Sequence, residues 1–343
     1  MNRAPRNQDP READGLLSPR SGRPCHVDMV AGACHSRDAT GRRIMRKTIT
    51  VGIDGSAESN AAAAWAAREA VLRGLPLTLL QAGYEPAPRT HLPEIDVPAE
   101  REDRALDFIG RRLLADHPGL RLVPRRTAEA PIPALLAAAE SSSVLALGSQ
   151  GFSSLEGFMV GSVALDVTAR ARGPVVLVRA GERAQDERAR ASSGAESPGA
   201  PFRRVVLGLD LEHSGEELLS FAFEAAQARA TSLTAVYAWK APAPRPHGRT
   251  GDPVAPAEAD TMRNATRLSL AAALRPWREK YPEVPVTERL AEERPAPCLR
   301  LAAEDASLLV VGHRADAGTR LGPVTHAMIH HAACPLAVVP HSP

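Results

Sequence analysis

The residues best suited to chemistry are the glycines of Gly148-x2-Gly151-x9-Gly161-Ser162 and the acid Asp54. Glycine lacks a Cβ, so backbone built on it can turn sharply and come close to an anion. Gly161-Ser162 opens an apolar run that reads as a helix, and a helix N-terminus presents unpaired N–H groups and the positive end of a dipole to phosphate. Asp54 closes a short apolar run read as a strand. There a carboxylate can accept from a ribose or base, or reach a Mg²⁺ that the phosphates themselves hold. This combination predicts a nucleotide site, with no metal site made by the protein alone.

Other chemistries fail on spacing. A phosphate loop of the GxxxxGK[ST] kind and a GxGxxG fingerprint are both missing after the first strand, where the chain reads Gly52-Ile53-Asp54-Gly55. A glycine-serine loop of the SGGxDS kind, which an adenylating enzyme would need, is absent too. Ser153, Ser154 and Ser162 have no histidine nearby in the sequence to act as a base. His326 and His330 have the spacing of a helical zinc pair, but no glutamate and no third ligand accompany them. The sequence therefore predicts binding without a requirement for catalysis, and at most slow ATP hydrolysis.

The elements that position these residues occur twice. Val51-Gly-Ile-Asp54 matches Leu207-Gly-Leu-Asp210 at an offset of 156, which also pairs Trp65 with Phe221 and Ala82 with Ala238. Pro131-Ile-Pro133 matches Pro295-Ala-Pro297 at 164, as Gly148 matches Gly312, and Gly161 and Pro174 match Gly322 and Pro335 at 161. The fall from 164 to 161 shortens the second glycine loop by three residues. Each copy alternates apolar β-rich runs with Ala-rich runs of helical length, opening at Thr48 to Asp54 and at Val205 to Asp210. Ser59 or Asn60, and Ser214, are the expected helix caps. Alternation of this kind implies a parallel sheet with right-handed crossovers, covered on both faces. Two tandem five-stranded doubly wound α/β domains are expected, over 47–180 and 203–340, joined by a linker over 181–202. In such a fold ligands lie beyond the carboxyl ends of the strands, where strand order reverses. Asp54 and Gly148 both fall there.

The glycine spacing resembles the G-2x-G-9x-G(S/T) motif of the ATP-binding universal stress proteins. Val-Gly-Ile53-Asp54-Gly-Ser with its Ala-rich sequel is similar to that family's first strand and helix. The likeness runs from about Lys47 to Pro340, and the layout is similar to the tandem, two-domain members found in actinobacteria. It implies a Rossmann-like, adenine nucleotide α-hydrolase-like fold and ATP as ligand, with Mg²⁺ accompanying it. Roles at the nucleoside and phosphates are then implied for Ile53, Asp54, Ala82, Leu147, Gly148, Gly151, Gly161, Ser162 and Val163. Copy two keeps Asp210, Gly312 and Gly322 but places Ala315 at the position of Gly151 and Pro323 at that of Ser162. Proline has neither a backbone donor nor a hydroxyl, so copy two reads as a degenerate second site.

Composition narrows the partners. A net charge of +2 with 3% aromatic residues argues against nucleic acid, and no run of about 18 apolar residues suggests a membrane span. Residues 1–46 read as a disordered tail, and Met45 opens the first repeat so directly that an over-long translation start is favoured over a functional arm. Cys25, Cys34, Cys298 and Cys334 match no metal or CxxC spacing, which suggests a reducing cytoplasm. The last strand of each copy, Val175 to Val178 and Leu336 to Val339, is apolar and falls at a sheet edge, so the copies are expected to pair there within one chain. The alternative function is an interaction module acting through that pairing. A homodimer and an unidentified protein partner are further candidates.

Overall fold

Strands covered by helices on both faces must be apolar on both, and the short β-branched runs of this chain meet that condition. In the computed structural model the described residues are 36–37, 43–44, 48–84, 98–149, 161–189, 200–213, 215–239, 256–314 and 320–341. They fall into two units, residues 1–45 and residues 46–343. In the first, β1 (Ser36–Arg37) pairs antiparallel with β2 (Arg43–Ile44).

In the second unit, copy one runs β3 (Ile49–Gly52), α1 (Ala57–Arg73), β4 (Leu77–Ala82), α2 (Pro98–Asp116), β5 (Leu122–Thr127), α3 (Pro131–Ser141), β6 (Val144–Ser149), α4 (Ser162–Arg170) and β7 (Val175–Arg179). Copy two repeats it as β8 (Arg204–Gly208), α5 (Glu216–Ala228), β9 (Leu233–Ala238), α6 (Pro256–Lys280), β10 (Val286–Ala291), α7 (Pro295–Ala303), β11 (Ala306–Arg314), α8 (Pro323–His331) and β12 (Leu336–His341). All ten strands join one sheet in the order β10-β9-β8-β11-β12-β7-β6-β3-β4-β5. Every ladder is parallel except the central one, where β12 pairs antiparallel with β7, Leu336 opposite Leu177 and Val338 opposite Val175. In each copy the order reverses between the first strand and the fourth, at β3/β6 and at β8/β11.

Two apolar layers sandwich this sheet, and each is continuous through both copies. One holds Trp65, Ala66, Leu106, Phe221, Phe223 and Leu270 from α1, α2, α5 and α6. The other holds Leu135, Val167, Cys298, Leu299 and Met328 from α3, α4, α7 and α8. Both buried cysteines lie in the second layer, and burial pushes their thiols up, Cys298 to about 11 and Cys334 to about 12. Across the join, Arg229 after α5 bonds Glu69 of α1 at 2.7 Å, and Arg73 bonds the same carboxylate at 2.6 Å. Burial pushes the Glu69 carboxyl up, but Arg229 and Arg73 outweigh it and hold the acid below its ordinary range.

The helix starts differ from the sequence expectation. Ser56 caps α1, its Oγ accepting from Ser59 N–H at 3.0 Å, in place of Ser59 or Asn60. The cause is Gly55 at φ +82°, which turns the chain immediately after Asp54 and starts the helix early. Gly215 caps α5 without a side-chain bond, and Ser214 lies outside the described residues. The third strands also run beyond their apolar residues, because β5 and β10 form the sheet's outer edges and carry charged side chains there.

Candidate functional site

The switch point of copy one holds a cavity of about 410 Å³. Ile53 and Asp54 enter it from the end of β3, Ala82 from the end of β4, Leu147 and Gly148 from β6, and Gly161, Ser162 and Val163 from the start of α4. Residues far apart in sequence thus converge where the parallel topology places strand ends. Gly151 lies outside the described residues.

Each contribution has a local cause. Asp54 Oδ1 accepts the N–H of Ser56 at 3.0 Å, a turn that orients the carboxylate at the strand end. Partial burial pushes that acid up, yet hydrogen bonds from the Ser56 hydroxyl and N–H and from Ser59 prevail, so its pKa falls below 3.8 and the carboxylate is charged. A Cβ on Gly52 would come within 2.9 Å of Leu147 Cδ2 and 3.0 Å of Leu135 Cδ2, so a larger residue there would have to displace the tips of both leucines. A Cβ on Gly148 would lie 2.4 Å from the Glu58 carbonyl carbon and 2.6 Å from Ser59 N, so α1 can begin against β6 only over glycine. At Gly161 nothing among the described residues lies within 4 Å of a Cβ position. The first-turn N–H groups of α4 have no intrahelical acceptor, and Ser162 and Val163, which carry two of them, line the cavity.

Ser56, Glu58, Ser59, Pro131 and Leu135 also line the cavity. Sequence reasoning did not assign them to the site. The recurrence of Pro131 as Pro295 was the one signal available for the α3 side, and the capping role of Ser56 could have marked the other.

The matching switch point of copy two holds a larger cavity of about 820 Å³, and Asp210, Gly312 and Gly322 all line it. Its walls are built from different chemistry. Asp210 Oδ2 lies 3.1 Å from His213 Nδ1. The missing Cβ of Gly312 would meet His341 Nε2 at 2.6 Å, and that of Gly215 would meet His341 Cβ at 2.5 Å. An imidazole is therefore wedged where copy one has the α1 backbone resting on Gly148. Pro323 starts α8 with no N–H to offer. His313 is held below 6.5 by burial and by neighbouring His341, although its Nε2 lies 3.0 Å from Ala169 O of copy one.

A doubly wound α/β unit with a pocket at its switch point, present twice in tandem, is the class that fold and site define. The family model for the universal stress protein family matches residues 45–179 and 201–340. The chain belongs to that family. A universal stress protein of Mycolicibacterium smegmatis is 30% identical over 304 residues, covering 85% of this chain and 96% of its own. One of Mycobacterium tuberculosis is 29% identical over 308 residues, covering 86% and 97%. Among solved structures, a universal stress protein of Archaeoglobus fulgidus superposes with a TM-score of 0.53 at 16% identity, covering 86% of this chain and 98% of its own. That similarity supports the Rossmann-like architecture. Among the described residues no helix is long and apolar enough to cross a membrane.

Proposed function

We propose that the protein binds ATP in the copy-one cavity and serves as a nucleotide-dependent regulator in a stress response, acting through a partner protein in the cytoplasm. The observation that carries this reading is the convergence of Asp54, Ala82, Gly148 and the first turn of α4 on one cavity of about 410 Å³, within the range of small-molecule sites. Asp54 suits the donors of a nucleoside, and Gly161, Ser162 and Val163 suit its phosphates. Gly151, outside the described residues, is proposed to complete the cradle.

The charges argue for Mg²⁺ with the nucleotide. Among the described residues the lining includes the carboxylates Asp54 and Glu58 and no basic side chain, and residues 150–160 contain none in their sequence. Phosphate charge there must be offset by backbone N–H groups and by a cation that the phosphates bring with them. Nothing in this arrangement requires turnover, and we propose retention of ATP over hydrolysis.

Equilibrium binding of labelled ATP to the full chain tests the proposal. We expect saturation at about one nucleotide per chain, with affinity falling when Mg²⁺ is chelated. Absence of saturable binding would overturn it and leave pairing of the copies as the functional reading.

A further inference from the structure

Each helix that opens at a cavity is bonded, in its last turn, by a side chain of the other copy. α4 begins at the copy-one cavity with Ser162, Val163 and Ala164, and at its far end Ala169 O lies 3.0 Å from Nε2 of His313, near the end of β11 in copy two. α8 begins at the copy-two cavity with Pro323, and His330 O in its last turn accepts from Arg179 of copy one at 2.8 Å. Carbonyls of a last turn have no intrahelical donor, so each cross-bond supplies what its helix lacks. A carbonyl only accepts, which places the imidazole proton on Nε2. Burial and His341 hold the ring below 6.5, so at pH 7 it is neutral and donates this N–H. Ala169 and His313 are both buried. The counterpart of His313 in copy one, at the offset of 164, is Ser149, and α8 is bonded from β7 instead, so the imidazole contact is particular to α4.

We propose that His313 of copy two is a positioning residue for the copy-one nucleotide site and acts on it through α4, an inference that rests on ATP occupying that cavity. Phosphate there is met by backbone N–H groups, whose position is that of the helix itself. Nine residues of helix rise about 13 Å, so one short rigid segment carries its first turn at the cavity and the Ala169 carbonyl at copy two. The buried side chains of α4 are small, Ala164, Val167, Thr168 and Ala169, and such packing resists sliding along the axis less than a directional bond at one end does. A donor on a last-turn carbonyl also polarises the chain of peptide hydrogen bonds in the sense that strengthens the first-turn donors. By linkage, a nucleotide held at the first turn acts back on His313 to the same degree.

Affinity for Mg-ATP at pH 7, measured on the full chain well below the melting temperature of each variant, tests the assignment. His313→Leu removes the donor and should weaken ATP about five- to tenfold. His313→Gln keeps an amide N–H close to the position of Nε2 and should restore affinity to within about twofold of the parent. A merely structural role would lower the melting temperature of His313→Leu and leave its affinity unchanged. Should that variant fail to fold, His313→Asn, whose amide is one methylene too short to reach Ala169, takes its place. The ring supplies a second readout: in ¹H–¹⁵N spectra its Nε2 resonance should shift on saturation with Mg-ATP, and stay in place when Gly161→Val receives the same nucleotide. Parental affinity without the donor, no rescue by glutamine, or an unmoved Nε2 resonance at saturation would each overturn the proposal and leave ATP binding in copy one standing. Absence of ATP binding by the parent chain would overturn both.

Discussion

Copies one and two share topology, switch point and aspartate, yet their cavities differ in how each would neutralise an anion. Copy one lines its cavity with a helix start and glycine, and among its described lining residues no cationic side chain appears. Copy two replaces the first residue of that helix with Pro323, fills the space over Gly312 with His341, and adds Arg314 and Arg320. Backbone donors require close, shape-specific approach, which suits a phosphate in a glycine cradle. Side-chain cations tolerate a looser cavity and a different ligand. The duplicated fold has thus kept its scaffold and changed the source of its positive charge.

The largest expected effect separates the two glycine mouths. Among the described residues neither Gly161 nor Gly322 has an atom within 4 Å of its Cβ position, so valine at either is expected to leave the fold intact. Gly161→Val should lower ATP affinity on the order of a hundredfold by occupying the phosphate position, while Gly322→Val leaves it unchanged. Equal losses in equilibrium dialysis would break the comparison. Next comes the join between the copies. Arg229→Ala strips the buried Glu69 of one partner, which typically costs about 3–5 kcal/mol, and Arg73 should hold the loss to the lower end. Urea unfolding measures it, and a second transition would show two separable bodies where one is expected.

The aspartates sharpen the asymmetry further. Asp54→Ala should weaken ATP about 10- to 100-fold, as loss of a charged hydrogen bond does, and Asp210→Ala by less than about twofold. The smallest effect tests the segment after β7. Burial, with Glu187 and Asp186 nearby, raises the Glu182 carboxyl from 4.5 to about 7. The folded chain then retains a proton that the unfolded chain has released, so this group costs stability as pH rises from 4.5 to about 7, and the loss stays constant above. Glu182→Gln should flatten that part of the profile and raise the melting temperature at pH 8 relative to the parent. A profile that still declines between those limits would assign the titration elsewhere.

Much of this architecture was legible because parallel strands buried on both faces must be apolar. Ile49 to Gly52 and Leu77 to Ala82 therefore announced themselves, and the offset of 156 transferred their meaning to copy two. The edge strands β5 and β10 were legible only in part, since Arg125, Arg126, Glu288 and Arg289 sit in strands without the apolar signal. Helix starts were misread where a left-handed Gly55 allowed Ser56 to cap ahead of the expected serine. Within the candidate site, the glycines and Asp54 could be read from type and spacing. The wedge of His341 could not, because it joins the last strand to Gly312 and Gly215 through contacts that no local pattern encodes. Residues 150–160, which include Gly151, lie outside the described residues.

The antiparallel ladder between β7 and β12 has a geometric consequence for traffic. Because every other ladder is parallel, the strands of copy one run against those of copy two, and their carboxyl ends emerge on opposite rims of the common sheet. Two molecules that occupied both cavities would enter from opposite directions and never meet. A partner docked over one doorway would leave the other open to solvent.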